Sequence, residues 1–504
     1  MFGKFFKKKN KPTALDYEIA ALAAELGVAS KGKPVAPGVA RDLLKSLMMR
    51  QADLLVRTEE GRGAAVLYKF AARLSGQTVS DALGQGDKHS LLQRGYALMG
   101  SGQFEDAKTT LEAAAARYPE HHRVHASLAA VLERLEGEGA ALKVMQDFYA
   151  RKPMKLKAAA QNPSNAPTLM CLYGYDGTRY KLASNGDGSF QKFRRGGHFM
   201  LRYLLDKAKF NIHHFTVSNG NLDTYTVPTP CDLIVNTVAD PDVEMASLRT
   251  IQAFMDRTPN VPIINRPDRV IETTRDRNYE RLNKIDGIRF AKTQRFTREG
   301  RDEQSLAIHV EDMGYSYPLI VRETGTHTAV STELVHDRDE LARYFNQSEG
   351  DSFYAIEFIE NASEEGHYTK MRFFYIDGVM YPVVHHIDEV WNVHGSNRKT
   401  FMASHPWMLE KEQQFLAEPK SVIGEENYNR LQALHELIGL DFFGVDFTLL
   451  ADGTILIFEL NPAMRHSFTH AKTFSYMTIP LQRISNAFEA MVRKRAEPTF
   501  KGGD

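Results

Sequence analysis

The stretch Val445-Asp446-Phe447-Thr448-Leu449-Leu450-Ala451-Asp452-Gly453-Thr454-Ile455-Leu456-Ile457-Phe458-Glu459-Leu460-Asn461 decides how this chain reads. Two apolar runs flank Asp452-Gly453, the dipeptide that suits a two-residue hairpin turn. With that turn, Ala451 faces Thr454, and every step outward keeps the index sum. Asp446 then lies opposite Glu459, and Asn461 falls on the same face as Glu459. Two carboxylates facing each other across a strand pair repel and weaken the hairpin. The strands are otherwise strongly apolar, so a purely structural role explains the pair poorly. A divalent cation removes the repulsion. Asp, Glu and Asn oxygens are hard ligands suited to Mg²⁺ (or Mn²⁺), and so small a protein ligand set leaves room for phosphates. The alternative is that Asp446 or Glu459 pairs with a nearby arginine.

Outward from this hairpin the pattern stays helix plus antiparallel strands back to about residue 271. Met371–Ile376 and Val379–Val384 flank Asp377-Gly378, and Tyr317–Arg322 and Ala329–Leu334 flank a Glu-Thr-Gly-Thr-His-Thr loop. Counting across Asp377-Gly378 places Lys370 opposite His385 and on the same face as Arg372. Residues 168–270 alternate strand and helix: strands at Leu169–Tyr175, Asn211–Val217, Asp232–Thr237 and Val261–Asn265, and helices at Arg202–Lys209 and Met245–Asp256. That order predicts a small open, mostly parallel sheet. It has no G-x-G-x-x-G fingerprint and hence no sign of a dinucleotide site. Residues 158–167 read as a linker. Residues 13–157 read as helix, residues 1–12 as a basic disordered tail, and residues 491–504 as a second tail. Phe2, Phe5 and Phe6 beside Lys4 and Lys7–Lys9 could graze an anionic membrane, although a solvated tail is the plainer reading.

At the last hairpin a resemblance emerges. Asp446, followed on the next strand by Glu459-x-Asn461, resembles the metal site of the ATP-grasp superfamily, which includes glutathione synthetase and D-alanine ligase. The resemblance covers about residues 168–490. It implies an α+β multidomain chain, with a small α/β pre-ATP-grasp domain at 168–270 and an ATP-grasp fold of two α+β subdomains at 271–490. It implies Asp446, Glu459 and Asn461 as metal ligands and ATP with Mg²⁺ as cofactors. Arg322 and Arg277 stand where the family has phosphate-binding lysines. Arginine keeps the charge but changes the contact geometry. Gly325 lies in the loop over the phosphates, which has fewer glycines than is usual and also reads as an ordinary turn. Glu357, Phe358 and Ile359 resemble the hinge that offers backbone groups to adenine. Either Glu364 or Glu365 could reach the ribose. Arg372, with Lys370 on its face, falls where an acyl-phosphate would develop. Arg465, after the metal motif, suits a substrate carboxylate. The loop Asp388–Arg398, with Trp391 and His394, reads as lying near the substrate.

The helical region resembles the tetratricopeptide repeat. Gly95, Leu98, Ala107, Leu111 and Pro119 return 34 residues later as Ala129, Leu132, Ala141, Met145 and Pro153. Such helices imply either a groove for a peptide or protein partner or a structural lid. Residues 13–86 do not fit the same frame.

Composition sets the limits. The 504 residues allow roughly three domains. Lys+Arg and Asp+Glu both number 63, so no basic surplus marks a nucleic-acid binder. Cys171 and Cys231 are too few for a disulfide framework or a cysteine-rich zinc site, and His435-Glu436 does not continue to His-Glu-x-x-His. No apolar run reaches the ~18–20 residues of a transmembrane segment. A cytoplasmic protein is expected. The implied activity is an ATP-dependent carboxylate–amine (or thiol) ligase acting through an acyl-phosphate. The alternatives are a small-molecule kinase on the same fold and a non-catalytic nucleotide-sensing scaffold.

Overall fold

In a computed structural model, the described residues are Met48 and 87–497, apart from 101, 176, 183–189, 195–196, 218–230, 258–260, 327–330 and 396. The expectations for 1–12, for most of 13–86 and for His327 to Val330 lie outside them. The chain divides into two compact units.

The first unit holds four helices, α1 (Lys88–Gly100), α2 (Phe104–Arg117), α3 (His122–Leu135) and α4 (Glu138–Arg151). The starts of α3 and α4 follow those of α1 and α2 by the same 34-residue step as the sequence repeat. The small residues of that repeat sit where helices approach closely. A Cβ on Gly95 would come 2.8 Å from Leu111 Cδ2, and Ala107, Leu111, Ala129 and Met145 are fully buried. Residues 179–193 belong to this unit as well. Tyr180 N–H donates to Glu133 Oε2 at 3.2 Å, and Arg179 pairs with Glu138.

In the second unit the first sheet has the order β1-β5-β2-β6-β7. Its strands are β1 (Met154–Ala158), β2 (Thr168–Tyr173), β5 (Asn211–Thr216), β6 (Leu233–Asn236) and β7 (Ile263–Ile264); β3 (Thr178–Leu182) and β4 (Phe190–Arg194) form a separate two-stranded sheet that lies almost wholly in the first unit. The four strands from β5 to β7 are parallel and β1 is antiparallel to β5. The residues from 154 to 158 therefore belong to this sheet, so the helical segment ends at Arg151 and not at 157. The alternation of Met154, Leu156 and Ala158 with Lys155 and Lys157 is a period-2 edge-strand pattern. The helix expected at Arg202–Lys209 is two single 3₁₀ turns, Leu201–Tyr203 and Lys207–Lys209. Asp206 breaks it: its carboxylate accepts from Ala208 N–H at 3.0 Å and starts a new turn.

Two further sheets follow. The four-stranded one, order β11-β10-β12-β9, is antiparallel: β9 (Thr293–Thr297), β10 (Leu319–Glu323), β11 (Thr332–Val335) and β12 (Ser352–Glu357). The five-stranded one has the order β14-β13-β15-β16-β8: β8 (Ile288–Phe290), β13 (Tyr368–Ile376), β14 (Val379–Asp388), β15 (Phe442–Leu449) and β16 (Ile455–Asn461). Helices α5 (Pro241–Arg257), α6 (Pro267–Ile271), α7 (Arg275–Leu282), α8 (Glu303–Asp312), α9 (Arg338–Gln347), α10 (Pro406–Ala417), α11 (Pro419–Ile423) and α12 (Glu425–Ile438) complete the layers with α13 (Thr478–Ala496). α13 runs past the boundary read at 491, because Met491, Val492 and Ala496 are buried in its apolar face. Among the described residues no helix is long and apolar enough to cross a membrane.

Candidate functional site

Both diagnostic hairpins carry a bulge that plain index counting does not foresee. In β15–β16, Leu449 pairs with Ile455 and Phe447 with Ile457. The register then shifts by one residue at Phe458, and only this brings Asp446 opposite Glu459 and Gly444 opposite Asn461. The expected pairing is present, reached by a wider turn plus a bulge. In β13–β14 a shift between Arg372 and Phe373 places Lys370 opposite His386, and Met371 opposite His385. The expected Lys370–His385 pairing is therefore corrected by one residue, which moves His385 to the other face.

A cleft of about 180 Å³ opens between the two sheets. Thr293, Ile320, Arg322 and Ile356 line it from the four-stranded sheet, and Phe290, Lys370, Leu456 and Glu459 from the five-stranded one. Glu357, Phe358 and Ile359 close one end. Glu357 N–H donates to Lys292 O at 2.8 Å. The Glu357 carboxylate accepts from Arg289 Nη2 at 2.8 Å and from Lys292 N–H at 3.1 Å, so the hinge is held on both sides. Phe358 meets Trp391 edge-on with ring centroids 6.0 Å apart. Aromatic and aliphatic walls beside ordered backbone suit a flat heterocycle. A second, smaller cavity shares Arg275, Arg322 and Glu459 with the first.

The shared wall carries the charge. Arg275 Nη2 lies 2.6 Å from Glu459 Oε1. Arg372 grips Asp446 with both arms, Nε to Oδ1 at 2.5 Å and Nη2 to Oδ2 at 2.8 Å, and Lys370 Nζ is 3.7 Å from the same Oδ2. Asp446 is only 3% exposed and lines neither cavity. Burial holds the Lys370 ammonium below its usual pKa in spite of Asp446. Burial also opposes charge on Arg372, but Asp446 more than reverses this and raises its pKa. Arg322 donates to Thr326, and among the described residues no carboxylate lies within ion-pairing distance of it. Burial, followed by the Arg275 charge, lowers its pKa to about 10. A part-buried guanidinium with no carboxylate beside it, lining both cavities, is suited to an anion.

Asp446, Glu459 and Asn461 offer hard oxygens on one face, and Asn461 Nδ2 reaches Glu459 Oε1 at 3.2 Å. Their chemistry fits a divalent ion, and arginines now hold both carboxylates. Among the described residues no group of three His, Cys, Asp or Glu side chains could hold a metal by itself. An ion here needs Asn461 and oxygens from outside the protein.

The remaining expected residues divide. Gly325 lines the second cavity at φ +66°, where a Cβ would meet Val243 Cγ2 at 2.8 Å, so only glycine fits. Arg277 turns away: it pairs with Glu272 and lines neither cavity. Arg275, two residues earlier on α7, lines both cavities instead. Its face also carries Asn278, which donates to Leu460 O at 3.2 Å, and the fully buried Leu282. The i, i+3, i+7 spacing was the available signal. Arg465 is exposed and also lines neither cavity, while His466 turns inward to Ser485 at 3.0 Å.

No family model matches the chain. No curated protein matches it either. Among solved structures it is similar to the D-alanine–D-alanine ligase of Bacillus anthracis, at 15% identity over 66% of this chain and 99% of that one, TM-score 0.40. It is also similar to the VanG D-Ala:D-Ser ligase of Enterococcus faecalis, at 11% identity over 66% and 100%, TM-score 0.39. The ATP-grasp ligase PsnB, solved with precursor peptide PsnA2 and AMPPNP, is similar at 14% identity over 52% and 78%, TM-score 0.29. These likenesses are distant, and the function proposed below stands on the site's own geometry.

Proposed function

We propose that this protein is an ATP-dependent carboxylate–amine ligase. The observation that carries the reading is the wall shared by the two cavities, Arg275, Arg322 and Glu459, backed by Asp446 opposite Glu459 and by the Lys370 and Arg372 that pair with Asp446. Phe358, Ile359 and Trp391 would take the adenine, with backbone at the hinge reading its edge. Arg322 and Arg275 would bind the phosphates, and Gly325 would let its loop approach them. Asp446, Glu459 and Asn461 would hold Mg²⁺ (or Mn²⁺), which supplies neutralisation of phosphate charge.

The chain's own residues supply positioning and charge. Arg372 and Lys370 would face the carboxylate oxygen as it attacks the γ-phosphorus. The β,γ-bridging P–O bond breaks to release ADP, and the new C–O–P linkage is the acyl-phosphate. Attack of the amine nitrogen on the acyl carbon expels phosphate, and the nitrogen loses its proton. Both cations stabilise charge that grows on the transferring oxygens. The helices of the first unit would present a peptide or protein substrate, as tetratricopeptide-type repeats do.

The ion pairs set an order of events. With Asp446 under Arg372 and Glu459 under Arg275, metal alone meets neutralised ligands, whereas nucleotide phosphates give those arginines another partner. Mn²⁺ binding, read by electron paramagnetic resonance, should tighten roughly tenfold or more when a non-hydrolysable ATP analogue is present. Glu459→Gln should abolish that gain. Equal Mn²⁺ affinity with and without the analogue contradicts the arrangement.

A further inference from the structure

Next to Lys370 lies a buried polar cluster that none of the roles above uses. His386 is the cross-strand partner of Lys370 and is 7% exposed. Neither of its ring nitrogens has a hydrogen-bond partner. His470 stands beside it with ring centroids 6.4 Å apart, and its Nδ1 is also unpartnered. Arg398, 1% exposed, is fixed by an ion pair with Glu412 and by the Phe474 ring 5.3 Å away, yet its Nε and Nη1 have no hydrogen bond. Glu412 has little left to offer, since it also accepts from His385 N–H at 3.1 Å and Tyr476 OH at 2.7 Å. Buried donors left unanswered cost free energy, and so many in one place point to a ligand.

The position of the cluster says which ligand. Trp391, Asn392 and Val393 line the nucleotide cleft, and two residues on, Gly395 lies over both histidines. A Cβ at Gly395 would be 3.2 Å from His386 Cε1 and 3.6 Å from His470 Nε2. Arg398, Lys370 and Arg372 bring three cations, against the carboxylates of Glu412 and Asp446. A carboxylate, which takes a guanidinium fork and an imidazole N–H together, suits this cluster.

We propose that His386, His470 and Arg398 form a recognition pocket for a substrate carboxylate other than the one that reacts. This rests on the ligase reading: the reacting carboxylate goes to Lys370 and Arg372, and the pocket, one strand further on, holds the rest of the molecule in register. That carboxylate belongs either to the acid substrate, then a dicarboxylate, or to an amino-acid acceptor.

The test uses the full-length protein with ¹⁵N-labelled histidine and a separate measurement of ATP affinity. Glutarate is compared with glutaramide for the acid source, and β-alanine with propylamine for the amine source. The expected result is a saturable shift of the His386 and His470 ring nitrogens with one or both carboxylates, and none with the neutral or amine-only partner. Whichever carboxylate acts identifies the substrate that carries the group. Gly395→Ala, which removes no polar atom, should weaken that binding roughly tenfold and leave ATP affinity within about twofold. His386→Gln should do the same. Carboxylates that leave both rings unmoved, or inorganic phosphate binding there in their place, would overturn the pocket. Carboxylate binding in a protein that binds no ATP would keep the pocket and overturn the ligase reading instead.

Discussion

Arg275 and Arg277 differ by two positions on one helix and by everything that matters to the cleft. Residues two apart on a helix point to different faces. Arg277 and Arg281 turn to Glu272, while Arg275 and Asn278 turn to β16. A short-motif match selects residues by their neighbours in sequence, and so it picked Arg277. Helical periodicity selects them by face. Arg275→Ala should weaken ATP binding roughly tenfold, the scale of one lost charge-assisted contact, and Arg277→Ala by less than about twofold. Equilibrium titration with a fluorescent ATP analogue reads both, and the reverse ranking would show that the nucleotide sits elsewhere. Asp446, Glu459, Asn461, Arg322, Lys370 and Arg372 stand out in the sequence because each breaks an apolar strand pattern. The bridging partners do not, since an ion pair between distant segments leaves no local trace.

At the scale of the element, the bulges carry the lesson. Asp-Gly announced both hairpins correctly, and one extra residue in each changed what faces what. In β15–β16 the bulge restored the pairing that simple counting expects, and in β13–β14 it moved His386 in place of His385 across from Lys370. A bulge needs only an unpaired residue, here Phe458 and Val383, and an apolar side chain does not advertise it. The same strand and the segment after β16 carry a pH dependence. Burial lowers His385 and His466 to a pKa of about 4, against 6.5 for the free side chain. Between those values the unfolded chain binds the protons and the folded one does not. Stability is therefore full above pH 6.5 and is lost as pH falls toward 4, at roughly 1.4 kcal/mol per pH unit for each histidine. Urea midpoints across that range should fall less steeply for His466→Gln than for the parent. An unchanged slope would mean that His466 does not resist protonation.

The whole molecule divides its work between units. Every residue lining the two cavities lies between Ala239 and Pro462, within the second unit. Removal of residues 1–151, with 179–193 closed by a short linker because those residues belong to the helical unit, should leave ATP affinity within about twofold. Loss of ATP binding in a truncated protein that still unfolds cooperatively would mean the helices support the cleft. In the sequence a helical period gives way to alternating strands and then to hairpins. The joins are harder to see: β1 hides in a Lys-rich stretch, and 179–193 leaves its sequence neighbours. The full-length protein, with ATP and a metal ion, would be supplied with a pool of amino acids and peptides whose carboxylates carry ¹⁸O, and both the products and the released phosphate would be weighed. ADP should form in step with a condensed product, with one ¹⁸O atom passed from carboxylate to phosphate. A stable phosphorylated product, or phosphate without ¹⁸O alongside a condensed product, would contradict the ligase reading.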